Sequence, residues 1–172
     1  HSASKLKIPG ANHPDNWLSL DLLRRACLGE KMDLSGREVV IIGAGDVALD
    51  CARTAIRLGT SNVKIVCRGM RASEHELSAS DEEGIKIIRN RVFKEVVIEN
   101  NKITGLRCLE AKVGGIVNGK RQVEEIPGTE HVIPGDLVIW AVGQWPDLTF
   151  LPRDGSIATL SSGGITVNDD LM

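Results

Sequence analysis

Residues Arg37 to Arg68 read REVVIIGAGDVALDCARTAIRLGTSNVKIVCR, and this stretch decides the fold. Val39 to Ile42 is a continuous apolar run, the pattern of a parallel strand covered on both faces. Gly43-Ala44-Gly45-Asp46-Val47-Ala48 follows at once and has the pattern G-x-G-x-x-A. From Asp46 to Leu58, Val47, Ala48, Cys51, Ala52, Ala55 and Ile56 fall on one helical face, and Gly59 is placed to end the helix. Val63 to Cys67 is a second apolar run. Strand, glycine turn, helix and strand in this order lift the glycine pattern above an ordinary strand–helix connection.

Each position of the turn has a physical reason. Gly43 allows a sharp bend, Gly45 lets a pyrophosphate approach the backbone, and Ala48 is small enough for the helix to pack on the strand. The N–H groups of the first helical turn face an anion from the positive end of the helix dipole, and Gly43, Ala44, Gly45, Asp46, Val47 and Ala48 are the candidate cofactor-binding residues of the turn. Asp46 suits that dipole but repels a phosphate if it points inward, so it is expected to turn outward or cap the backbone.

The second strand of such a unit ends near the adenosine ribose. A carboxylate there, about 20 residues past the motif, would bind the 2′-hydroxyl of NAD. This chain has Arg68 at that place and Arg71 just beyond it, with no carboxylate until Glu74. Guanidinium forks match a phosphate, so the pair points to the 2′-phosphate of NADPH.

Composition narrows the classes. The chain has 172 residues, 42% hydrophobic and 26% charged, as expected of one globular domain with a real core. A net charge of −2 gives no general attraction to nucleic acid or anionic membrane. Aromatic residues are only 3%, with no Tyr, which leaves little for stacking bases. No apolar run approaches the ~18 residues of a membrane span. Cys27, Cys51, Cys67 and Cys108 include no C-x-x-C pair and read as reduced, mostly buried thiols of a cytoplasmic protein. The histidines are scattered, none at metal-ligand spacing, and no metal site is expected.

The rest of the chain fills in around the turn. Residues 1–16 read as loop, with Pro9-Gly10 and His13-Pro14 as breakers. Trp17 to Leu28 reads as a helix that Asn16 or Ser19 caps and Gly29 ends. On the nucleotide-binding helix, Asp50 is placed for a contact with Arg53. Ser73 to Gly84 reads as a polar, acidic helix or loop–helix, with Glu82-Glu83 as a solvated face, and Ile85 to Ile88 as a third strand. From Val92 the period changes: Phe93–Glu99 and Ile103–Val113 read as a hairpin turning at Asn100-Asn101, with a second turn at Asn118-Gly119 and short strands at Gln122–Ile126 and His131–Ile133. Asp136 to Val142 returns to a buried strand, which Gly143 to Asp147 breaks, and Trp140 and Trp145 are expected to pack in the core or at an interface. The expected fold is α/β: a Rossmann-like, three-layer FAD/NAD(P)-binding domain. It has a central parallel sheet, helices on one side and an inserted antiparallel β-meander.

At this point the chain resembles a known group. KLKIPG (Lys5–Gly10), GAGDVALDCARTAIRLG (Gly43–Gly59), the Arg68 and Arg71 loop, EEG (Glu82–Gly84) and AVGQWPDLTFL (Ala141–Leu151) look like the NADPH-binding domain of the glutamate synthase small (β) subunit and its relatives. These are FAD-dependent flavoprotein oxidoreductases with two dinucleotide folds, and the resemblance covers nearly the whole chain. It implies that NADPH binds here and passes hydride to FAD on a separate domain, which is split in sequence around this one. It further implies an iron–sulfur or large-subunit electron-transfer partner, and places Gly143 near the junction of the two cofactors. No second dinucleotide motif and no cluster-binding cysteine run is present. The expectation is therefore a single NAD(P)H-binding domain over 1–172, core about 33–147, with 1–16 and 151–172 as edges of a missing FAD domain. Such a fragment would bind NADPH and transfer nothing by itself, and no side chain in it need act as acid or base. Thioredoxin reductases would carry C-x-x-C before the glycine motif, where only Cys27 stands.

Two rival classes use the same turn. One is a stand-alone nucleotide-binding regulatory or sensor module without redox catalysis. The other is a methyltransferase, against which the missing second-strand carboxylate counts.

Overall fold

The computed structural model describes residues 2–3, 5–69, 82–117, 120–145, 148–152, 156–160 and 164–167. Strands β1 (Ser2–Ala3) and β2 (Asn16–Leu18) precede helix α1 (Ser19–Cys27). Then come β3 (Glu38–Gly43), α2 (Asp46–Arg57), β4 (Asn62–Val66) and β5 (Ile85–Ile88). Strands β6 (Arg91–Glu99), β7 (Lys102–Val117), β8 (Lys120–Glu125) and β9 (His131–Pro134) form the meander. The chain returns through β10 (Leu137–Ala141) to β11 (Gln144–Trp145).

A five-stranded parallel sheet in the order β2-β10-β3-β4-β5 is the middle layer. Side chains alternate across it, so each strand feeds two cores. Val39, Ile41, Val63, Ile65, Leu137 and Ile139 face the helices and meet Leu22 of α1 and Ala48, Cys51, Ala52 and Ala55 of α2. Val40, Ile42, Val66, Val138 and Trp140 face the other way, onto Phe93, Val96, Ile103, Leu106 and Ile133 of the meander. Both strand faces are covered, which is why these runs are apolar throughout. Each buried aliphatic side chain contributes roughly 1.5–3 kcal/mol.

The meander forms the third layer, and β7 is its spine: β6 and β9 pair with its first part and β8 with its second. Asn100 and Asn101 turn the β6–β7 hairpin with φ of 50° and 56°, the left-handed pair that a two-residue turn of this kind demands. Gly10 reaches the same layer at φ +77°, where a Cβ would run into the Val96 carbonyl, and Val96 N–H donates to the Pro9 carbonyl at 2.9 Å.

Several local expectations needed correction. Asn16–Leu18 is an edge strand parallel to β10, and α1 starts at Ser19 with Leu18 as N-cap and no side-chain cap bond. Asn16 instead spends its amide on the Gly10 and His13 carbonyls (3.0 and 3.3 Å) and accepts from Trp140 Nε1 at 3.0 Å. Ser2–Ala3 is not loop but pairs antiparallel with Gln144–Trp145. Arg53 donates to Glu83 at 2.7 Å rather than pairing with Asp50. Most of the Ser73–Gly84 stretch and the Asn118-Gly119 turn lie outside the described residues. Among the described residues no helix is long and apolar enough to cross a membrane.

Candidate functional site

Three parallel strands end on one edge of the sheet, and their ends carry the residues that sequence singled out. β3 runs into Gly43-Ala44-Gly45, β4 into Cys67-Arg68, and β10 into Val142-Gly143. β4 and β5 lie to one side of β3, whereas β10 and β2 lie to the other. The chain order therefore reverses at β3, and the crevice outside the carboxyl ends at such a point is where open α/β sheets bind ligands.

The two glycines of the turn do different things. A Cβ on Gly43 would sit 2.5 Å from the Ala141 carbonyl oxygen, so Gly43 is required by the close approach of β10. A Cβ on Gly45 would meet nothing within 4 Å. Gly45 is the N-cap of α2, with extended backbone at φ −116° and no side-chain cap bond, and its carbonyl accepts from Ala48 N–H at 2.9 Å. The open space at Gly45 and the uncapped first turn of α2 fit an oxygen-rich anion lying against the backbone. Ala48 is fully buried beneath, as close helix–strand packing requires. Asp46 is exposed and Val47 half-buried, both at the cleft edge.

Clefts open on both sides of the turn, with Ala141 common to both. One, of ≈ 440 Å³, is lined by Ser19, Gly45, Asp46, Val47, Gly143 and Gln144. The other, of ≈ 270 Å³, is lined by Gly43, Ala44, Arg68, Gly69, Phe93 and Val142. A larger hollow of ≈ 490 Å³ lies along α1 beside Trp17, Arg24 and Leu28. It takes no residue from the ends of β3, β4 or β10, so size does not identify the site here.

Arg68 is exposed, and its guanidinium lies 5.9 Å from the centroid of the Phe93 ring. That is within range of a cation–π contact. The strand end before it is pinned, because Cys67 N–H donates to the Ile88 carbonyl and Arg91 N–H to the Cys67 carbonyl, both at 3.0 Å. Arg71 lies outside the described residues. Gly143 adopts φ +115°, which favours glycine, at the rim of the larger cleft. The edge thus brings together Gly43, Ala44, Gly45, Asp46, Val47, Ala48, Arg68 and Gly143.

Ser19, Gln144 and Phe93 were not anticipated as cleft residues. Ser19 was obscured because the three-residue strand before it carries too little pattern to read, and Phe93 because the meander's packing face is a tertiary fact. Cys51 and Cys108 are buried thiols, each pushed up to about 12 by burial. Asp50 adds to the rise at Cys51, and Arg91 opposes it at Cys108. Cys27 is exposed, at the end of α1 away from Ser19. The described histidines serve the scaffold: His13 lies 3.1 Å from the Asn101 carbonyl, and His131 lies 2.8 Å from the Thr129 carbonyl while accepting from Arg91.

Comparison with known proteins bears on this geometry. A family model described as pyridine nucleotide-disulphide oxidoreductase matches residues 2–172. The chain is 37% identical over 142 residues to the NADPH-Fe(3+) oxidoreductase subunit beta of Geobacter sulfurreducens, covering 77% of this chain and 20% of that protein. It is 35% identical over 153 residues to the glutamate synthase (NADPH) small chain of Halomonas elongata, covering 81% of this chain and 32% of that one. The chain thus spans a third or less of these relatives. Among solved structures, thioredoxin reductase of T. acidophilum superposes with a TM-score of 0.67 at 21% identity, over 98% of this chain and 49% of that chain. Mycobacterium tuberculosis FprA in complex with NADPH gives 0.64 at 19%, over 90% and 49%. At these identities the two structures speak for the fold alone.

Proposed function

The chain belongs to the pyridine nucleotide-disulphide oxidoreductase family, and from that premise we propose that it is the NADPH-binding domain of a flavoprotein oxidoreductase whose FAD is held outside these residues. One observation carries the reading: the open backbone at Gly45 and the guanidinium of Arg68 share one sheet edge. In folds of this kind the pyrophosphate lies on the glycine turn and the 2′-phosphate meets the end of the next strand.

In this reading Gly43, Ala44 and Gly45 let the pyrophosphate lie on the backbone. The N–H groups of Asp46 and Val47 face it, and Ala48 seats the helix that carries them. Arg68, joined by Arg71, takes the 2′-phosphate, and Gly143 borders the nicotinamide. The bound NADPH supplies a hydride and an FAD on the adjoining domain accepts it. The chain's own part is to position: it fixes the nucleotide, sets its reach and lends no acid or base.

Support for a larger protein comes from the relatives, of which this chain spans 20% and 32%. We take residues 1–172 as one NAD(P)H-binding domain with its core at about 33–147. Residues 1–16 and 151–172 are then edges of the FAD domain. Relatives named as a subunit beta and a small chain support an electron-transfer partner, an iron–sulfur protein or a large subunit. The buried thiols of Cys51 and Cys108 accord with a reducing compartment, the cytoplasm.

Calorimetric titration with NADPH and NADH tests the reading. NADPH is expected to bind more tightly, and Arg68→Ala to weaken it by roughly 10- to 100-fold, the worth of a charge-assisted contact. Equal affinity for the two cofactors would overturn the 2′-phosphate assignment. Absence of binding to either would overturn the nucleotide reading itself.

A further inference from the structure

The larger cleft has a second helix at its wall. α1 follows parallel strand β2 as α2 follows β3, so both helices begin at the same sheet edge and pack side by side. Neither has a side-chain cap. The first residue of α1, Ser19, is 1% exposed and lines the cleft with Gly45, Asp46, Val47, Gly143 and Gln144. Its carbonyl accepts from the Cys51 thiol of α2 at 3.8 Å, which ties the two helix starts together. Its hydroxyl bonds to none of the described residues. No solvent-sealed side-chain nitrogen or oxygen among them lacks a partner. The Ser19 oxygen is therefore an atom that reaches the cleft.

We propose that Ser19 is a nucleotide-binding residue whose hydroxyl hydrogen-bonds a neutral oxygen of the nicotinamide nucleoside, a ribose hydroxyl or the carboxamide. The inference rests on the NADPH reading above. The charge of the cleft selects the class of group. Among the described residues its lining holds no lysine or arginine, and the charged side chain there is the Asp46 carboxylate, which repels any phosphate beyond the pyrophosphate on the turn and accepts from a hydroxyl. Gln144 adds an amide able to give and take hydrogen bonds. A hydroxyl, a carboxylate and an amide around open backbone suit a polyol or an amide. The position agrees: this cleft lies on the β10 side of the glycine turn, and Arg68 lies on the β4 side.

The test compares two probes in calorimetric titrations of the protein and of Ser19→Ala. NADPH carries the nicotinamide nucleoside; 2′,5′-ADP carries the 2′-phosphate and the adenosine half without it. The expected result is that Ser19→Ala weakens NADPH on the order of fivefold, the worth of one neutral hydrogen bond, and leaves 2′,5′-ADP unchanged. Unchanged binding of the second probe also reports that the variant is folded. Equal weakening of both probes, or no effect on NADPH, would overturn the inference. Arg68→Ala must weaken both probes; if it weakens neither, the 2′-phosphate reading fails instead, and the two failures are distinct.

Discussion

Gly43 and Gly45 stand two residues apart in one turn, yet the same substitution is expected to injure different properties. Gly43→Ala forces a methyl to 2.5 Å from the Ala141 carbonyl oxygen, so β10 must shift. A loss of about 1–3 kcal/mol is expected in denaturant unfolding, the cost of overpacking a buried contact. Gly45→Ala adds a methyl to open space on a backbone that alanine adopts freely. Its unfolding curve should stay within about 0.5 kcal/mol of the parent, as for a surface change. Its NADPH affinity should fall by at least tenfold, because the methyl occupies the path of the pyrophosphate. A Gly45→Ala protein that keeps full NADPH affinity would show that no phosphate approaches there. The pattern of the turn was legible from sequence because it is local. The reason for Gly43 was not, since its neighbour Ala141 arrives only after the whole meander. Arg68 was legible through its spacing from the motif, whereas its Phe93 contact depends on how the third layer packs.

At the scale of elements, β2 is the piece that sequence hid. Three residues are too few to show a period, and Asn16 looks like a cap when read before a helix. The pairing of Asn16, Trp17 and Leu18 with Val138, Ile139 and Trp140 outweighs those local preferences. Asn16, 5% exposed, bonds Trp140 Nε1 and the Gly10 and His13 carbonyls, so one side chain joins the edge strand to its neighbour and to the incoming loop. Asn16→Ala leaves the indole N–H buried without a partner. Unfolding free energy is expected to fall by about 1–3 kcal/mol, the cost of an orphaned buried donor. Because β2 leads straight into Ser19, NADPH affinity should fall as well while 2′,5′-ADP affinity holds. A variant of parental stability would show that water replaces the side chain without loss. β3, β4 and β5 were legible as short apolar runs and the β6–β7 hairpin through its turn pair Asn100-Asn101, although β7 runs on to Val117, past the Val113 expected as its end.

The whole molecule stacks two cores on one sheet, and alternate residues of the same strands serve each. Val39 and Ile41 belong to the helix side, and Val40 and Ile42 to the meander side. Neither core can open without withdrawing the face of a strand the other still needs. The two layers are therefore expected to unfold as one cooperative unit. The cysteines provide the reporters. Cys51 sits in the helix-side core and Cys108 in the meander-side core, both buried, while Cys27 is exposed. In a denaturant series, a thiol reagent should label Cys27 in the native protein and label Cys51 and Cys108 together at one midpoint. Labelling of Cys108 at lower denaturant than Cys51 would show that the meander opens on its own. The same pair sets an alkaline limit. Burial raises both thiols from the ordinary 9.0 to about 12 in the folded chain. A raised folded value means that the native state holds its protons longer. The stabilisation is therefore complete below about pH 9 and drains away as pH climbs toward 12. Cys51→Ala should flatten the fall in unfolding free energy between those pH values, and Cys51→Ala with Cys108→Ala should flatten it further. A fall of unchanged steepness in the double variant would assign the alkaline loss to other groups.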